Sequence, residues 1–155
     1  MKRSSAVVAG CVTATAAVAG NAFIGRDAMA WFGDLNKPQW QLPMPGFIVV
    51  GTTYYGIVGY VLARAIDRGD AETVRWAGTV LVANEAWNAL LFGRRSPSTA
   101  FAGLFGFLVP LAFLQRSVWS DKRSRATLLP YTAWVIAYDL PWSYRLWRLN
   151  TLSAR

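Results

Sequence analysis

GFIVVGTTYYGIVGYVLA, residues 46–63, contains no Lys, Arg, Asp or Glu, and neither does STAFAGLFGFLVPLAFL, residues 98–114. A helix on the surface of a soluble bundle keeps a polar face. These two stretches have none, and each comes close to the length that spans a hydrocarbon core of roughly 30 Å. Outward from them the pattern repeats: short charged clusters alternate with long apolar runs. Of the 155 residues, 54% are hydrophobic and 15% charged, whereas soluble domains carry about 25% charged residues. The expectation is an all-α, integral membrane, five-transmembrane-helix bundle, multi-pass and forming one domain over residues 1–155. Its helices fall at about 5–25, 46–66, 74–93, 98–118 and 126–149. Connections are short except for the proline-rich segment 26–45.

The formal net charge is +8. Because Lys and Arg punctuate the apolar runs instead of forming one stripe, they read as flanks of membrane helices and give no nucleic-acid surface. The chain has no histidine and a single cysteine, Cys11. That removes His-ligated haem, zinc sites, histidine triads and an intrachain disulfide. No catalytic residue, metal site or covalently bound cofactor is expected. Val8-Ala9-Gly10-Cys11 resembles a lipoprotein cleavage box. The apolar run before it is shorter than a signal core of about 7–15 residues and continues past it, so the first helix is expected to be retained. Within it Gly10, Ala14, Ala17 and Gly20 recur near helical spacing, which suits close helix–helix approach.

Eight tryptophans punctuate the sequence. Trp31, Trp40, Trp76 and Trp119 lie near segment ends, where an interfacial belt accounts for them. Trp87, Trp134 and Trp142 lie deeper. They either pack between helices or wall a pocket for a flat ligand on which indole faces stack. Asn84, Trp87 and Asn88 stand at i, i+3 and i+4 on one helical face, where amides either bond neighbouring helices or line a cavity. Glu85 is beside them, and Asp139 falls near the middle of the last segment. A carboxyl group at that depth is rarely lipid-facing. It is protonated, paired or turned to a hollow, and a proton- or ion-coupled transporter would use such groups. Pro141 should kink the last segment, freeing a carbonyl one turn earlier.

Three motifs together cover most of the chain. Trp31 is followed by Leu35-Asn36-Lys37-Pro38-Gln39-Trp40-Gln41-Leu42-Pro43, with Thr52 and Tyr55 beyond. Asn84-Glu85-Ala86-Trp87-Asn88-Ala89-Leu90-Leu91-Phe92-Gly93 forms the second. Pro130-Tyr131, Trp134 and Trp147-Arg148-Leu149-Asn150 form the third. In order and spacing they resemble the TspO/MBR family, the tryptophan-rich sensory and translocator proteins.

The resemblance implies a five-helix bundle, often a homodimer, with a cavity below the first loop. It implies a membrane receptor or sensor for a planar hydrophobic ligand, a porphyrin (tetrapyrrole), haem or a sterol. A transporter or shuttle using Glu85 and Asp139, or light-dependent porphyrin degradation, are the alternatives. Carried over by position, the ligand contacts are Trp31, Trp40, Tyr55, Asn84, Trp87, Asn88 and Trp134. Asp139 and Trp142 join them on the reading of the residues themselves. The partners implied are the small ligand and the lipid bilayer. The chain also departs from the family pattern. Gly51 stands where the family has a tryptophan, Leu42 replaces a proline, and 138–144 carries an apparent extra residue. Glu85 and Asp139 are acids where most members have neutral residues.

Overall fold

The structure is a computed structural model that describes residues 1–152. Among them every regular element is helical: α1 (Arg3–Asn21), α2 (Arg26–Asp34), α3 (Met44–Arg68), α4 (Ala71–Asn88), α5 (Pro97–Ser117), α6 (Lys122–Trp134) and α7 (Leu140–Leu152). A π-helical turn, Ala89–Gly93, prolongs α4, and another, Val135–Asp139, joins α6 to α7. The chain therefore forms five helical columns, with α2 as an extra short helix inside the long connection that sequence reading left without structure.

Helix ends follow local chemistry. Gly69 closes α3 in the left-handed region, with φ 67°, which glycine adopts without a Cβ penalty. Asp70 then caps α4 by accepting from the Thr73 amide at 3.0 Å, and Ser96 caps α5 with Pro97 at its first position. Both arrangements satisfy amides that a helix start leaves unpaired. In the last column Pro141 has no N–H to donate. The backbone widens into the π turn just before it and the helix continues beyond.

Three helices, α1, α3 and α5, are long and apolar enough to cross a membrane. Of the five spans expected, three meet that measure as single α-helices. The columns 71–93 and 122–152 carry Glu72, Arg75 and Glu85, and Lys122, Arg123, Arg125, Asp139, Arg145 and Arg148. Charge lowers the mean hydropathy of both, and the π turn divides the second into two α-helices of 13 residues each. With several long apolar helices, the chain is an integral, multi-pass membrane protein.

The columns close into a ring: α1 packs on α3 and α4, α4 on α5, α5 on α6 and α7, and α6 on α3. Half of the ring is solid. Val58, Val61, Leu111, Leu114 and Leu128 are fully enclosed between α3, α5 and α6. At this end Arg64 Nε and Nη2 donate to the two carboxylate oxygens of Asp121 at 2.9 and 2.8 Å, and Arg68 joins the same carboxylate. The Arg64 hydrogen bonds hold the Asp121 carboxyl well below the usual carboxylate range. Toward the opposite end, below α2, the ring is hollow.

Of the small-residue stripe expected on α1, only Gly20 is buried against neighbouring helices. Ser5, Ala9, Thr13 and Gly20 are buried. Gly10 faces open space, and Ala14 and Ala17 border the hollow.

Candidate functional site

The hollow is a cavity of about 930 Å³, near the upper end of the roughly 300–1,000 Å³ usual for small-molecule sites. Five columns and the long connection wall it. Helix α1 supplies small side chains, and α2 supplies Met29 and Phe32. Helix α3 presents the face carrying Met44, Phe47, Gly51 and Tyr55. Those positions recur at three or four residues, which is why they share one face. Both π turns reach the wall, the first through Leu91 and Phe92 and the second through Asp139. A widened turn moves side chains off the register of a regular helix, and such turns recur at functional sites.

Aromatic rings organise the apolar surface. The Trp142 ring lies 5.4 Å from Phe47, 6.4 Å from Phe32 and 6.5 Å from Trp87, centroid to centroid. Phe32 continues the series to Phe92 at 5.6 Å. The indole N–H groups are satisfied elsewhere. Trp87 Nε1 donates to the Ala100 carbonyl at 3.0 Å, and Trp142 Nε1 to Gln41 Oε1 at 3.1 Å. Both rings are thereby fixed by one edge.

The loop after α2 is strapped over this end. Besides Gln41, the Leu42 amide donates to the Tyr138 hydroxyl at 2.7 Å. The Asn36 amide donates to Asn150 Oδ1, and Asn150 Nδ2 donates back to the Asn36 carbonyl, each at 2.9 Å.

Polar groups occupy one side. Glu85 accepts from the Tyr55 hydroxyl at 2.7 Å, Asn84 Nδ2 at 3.2 Å and Asn88 Nδ2 at 3.1 Å. Gly20 of α1 lies directly against this carboxyl group, where a Cβ would overlap it. Asp139 accepts from Trp134 Nε1 at 3.1 Å. No group of three metal-binding side chains occurs among the described residues.

Of the residues picked out from sequence, Tyr55, Asn84, Trp87, Asn88, Asp139 and Trp142 come together on the cavity wall. Trp31, Trp40 and Trp134 stand outside it. Trp31 packs beside the Phe32–Leu91 cluster. Trp40 is 47% exposed and meets Tyr138 edge-on at 5.3 Å. Trp134 stacks on the other side of the same neighbourhood, 4.4 Å from Tyr138, and holds Asp139. Sequence reading missed Phe32 and Phe47. Phe47 was within reach, because it lies eight residues before Tyr55 on the same helical face. Gly20 was picked out for close helix–helix approach, but its contact with Glu85 was not, since that depends on which helix faces it.

The fold and the hollow define a class: an all-α multi-pass membrane protein with an aromatic-walled interior cavity. Residues 7–147 match the model of the TspO/MBR family, and the chain belongs to that family. It is 29% identical over 141 residues to the translocator protein of Ovis aries, covering 84% of this chain and 81% of that one. It is 30% identical over 147 residues to the tryptophan-rich protein TspO of Chlorobaculum tepidum, covering 87% and 90%. To the tryptophan-rich sensory protein of Cereibacter sphaeroides it is 26% identical over 113 residues, 69% of each chain.

Proposed function

We propose that the chain is a single membrane domain that receives a planar, mostly apolar ligand, a porphyrin or sterol, in its interior cavity. The observation that carries this is the cavity of about 930 Å³ with Trp87, Trp142, Phe47 and Phe92 on its wall. Rings fixed by their N–H bonds offer flat apolar faces without having to order on binding, and that favours a rigid conjugated guest.

In this reading all five columns cross the bilayer. Column 71–93 reaches roughly 35 Å at about 1.5 Å per residue, enough for the hydrocarbon core. Its Glu85 and the Asp139 of column 122–152 are tolerated because both are hydrogen-bonded inside the bundle and away from lipid.

The test is a titration of the purified protein in lipid nanodiscs with protoporphyrin IX, read by tryptophan quenching, with a sterol as competitor. Saturable one-site binding that weakens about 5- to 30-fold in Trp87→Ala, through a lost aromatic face worth roughly 1–2 kcal/mol, supports the proposal. Quenching that never saturates, or that Trp87→Ala leaves unchanged, removes it.

A shuttle is the second reading. Ile48 and Thr52 belong both to the cavity wall and to the exposed outer side of α3, so the hollow approaches the lipid there, and the name translocator protein is borne by a relative. Ligand flux between vesicles, present with the parent and absent with protein-free membranes, separates a shuttle from a receptor.

A further inference from the structure

The two carboxyl groups beside the cavity are used differently. Glu85 accepts three hydrogen bonds from protein donors, two to Oε1 and one to Oε2, and is not itself part of the wall. Its capacity is taken up in joining α3 to α4. Asp139 does belong to the wall. It accepts a single bond, from Trp134 to Oδ1, and among the described residues Oδ2 has no hydrogen-bond partner. Among the described residues neither acid forms an ion pair, since the pairs present involve Asp67, Asp70 and Asp121.

Among the described residues the rest of the wall has no compensating charge, and no lysine or arginine lines the cavity. Its other polar groups are the hydroxyls of Thr13, Thr52, Tyr54, Tyr55 and Tyr131 and the amides of Asn21, Asn84 and Asn88. Once ionised, a carboxyl group held at the edge of an apolar hollow is strongly stabilised by a cation that it can hydrogen-bond, and it repels an anion over the same distance. Depth in a bilayer strengthens both effects, because water is scarce.

We infer that the cavity selects ligands with a flat apolar body and one cationic nitrogen, an amine or amidine class, which donates to Asp139. A guest bearing carboxylates has to keep them outside the hollow. The inference rests on the cavity being the ligand site, as proposed above, and goes beyond the ligand classes named there by assigning a charge to the guest. Trp134 acts as a positioning residue, since its N–H fixes the Asp139 carboxyl while the indole itself stays off the wall.

The experiment compares three probes on one ring system: acridine, which is neutral at mildly alkaline pH, cationic 9-aminoacridine and anionic acridine-9-carboxylate. Each is titrated by tryptophan quenching into nanodiscs of zwitterionic phosphatidylcholine, with empty nanodiscs subtracted. The variants are Asp139→Asn, Asp139→Glu and Ala17→Phe, whose ring grows from α1 into the hollow. Thermal unfolding checks that each is folded.

The parent is expected to bind the cation about tenfold or more tightly than the neutral ring, as one hydrogen bond to a charged group implies, and the anion most weakly. The cation-to-neutral ratio collapses in Asp139→Asn and returns in Asp139→Glu. A ratio that survives Asp139→Asn, or an anion bound as tightly as the cation, overturns the inference while leaving the cavity as the site. Binding that Ala17→Phe does not diminish for any probe overturns the cavity reading, and the charge preference with it.

Discussion

Replacing Gly20 by alanine should destabilise the bundle, although alanine is the better helix former. The added Cβ would overlap Oε2 of Glu85 and stand 2.6 Å from its Cδ and 3.0 Å from Nδ2 of Asn88. The obstacle is the end of a side chain, so Glu85 swings aside and its bonds to Tyr55, Asn84 and Asn88 are lost or stretched. A fully buried partner left unpaired costs roughly 1–3 kcal/mol, and these partners are only part-buried, which puts each at about 1–2 kcal/mol. With about two partners affected, the loss is about 2–4 kcal/mol. Alanine returns about 1 kcal/mol of helix propensity, which leaves a net loss of about 1–3 kcal/mol. In a Glu85→Ala background the obstacle is gone, and Gly20→Ala should then stabilise by about 1 kcal/mol. The assay is a double-mutant cycle of equilibrium unfolding in mixed detergent, followed by far-ultraviolet circular dichroism. A change of sign between the two backgrounds is expected. Equal effects in both, or a stabilised Gly20→Ala in the parent, would refute the contact between α1 and Glu85.

Two further outcomes follow from other parts of the bundle. The Asp121 carboxyl is depressed when folded, so its contribution is complete above an ordinary carboxylate pKa of about 4 and is lost as pH falls further toward the folded value. Acid unfolding curves below about pH 4 should therefore flatten in Asp121→Asn, which also costs about 2 kcal/mol at neutral pH. That figure is discounted from the roughly 3–5 kcal/mol of a fully buried pair, because Arg64 and Arg68 are 21% and 35% exposed. An unchanged acid limb would contradict the pairing. Gln41→Ala should remove about 1 kcal/mol from the strap over the cavity and accelerate amide exchange in 35–43 while leaving α5 protected. Uniform acceleration across the chain would show that the loop is not held separately.

The membrane character and the limits of α3 and α5 were legible because uncharged stretches of that length have one stable environment. Gly69 and Ser96–Pro97 mark helix ends through backbone chemistry that needs no tertiary context. The π turns were not legible, since a widened turn depends on which neighbours the displaced side chains meet, although Pro141 pointed to an irregularity beside one of them. The short helix α2 escaped because its nine residues carry no side-chain cap and hold together by laying Phe32 against Phe92 and Trp142. On the site, periodicity placed Asn84, Trp87 and Asn88 on one face, and the structure turns that face to the hollow. It could not say which tryptophans look inward. Trp134 and Trp142 are both deep in the same column, yet one braces Asp139 from behind while the other reaches the wall.

The most direct measurement uses a chain in which only Trp87 and Trp142 remain of the eight tryptophans, titrated in nanodiscs with a planar chromophore before and after Ala17→Phe. Saturable quenching of both indoles at one ligand per chain, abolished by the phenylalanine, is the expected result. Quenching that rises linearly with ligand, or that the filled hollow leaves intact, would mean that the guest resides in the lipid and the interior receives nothing.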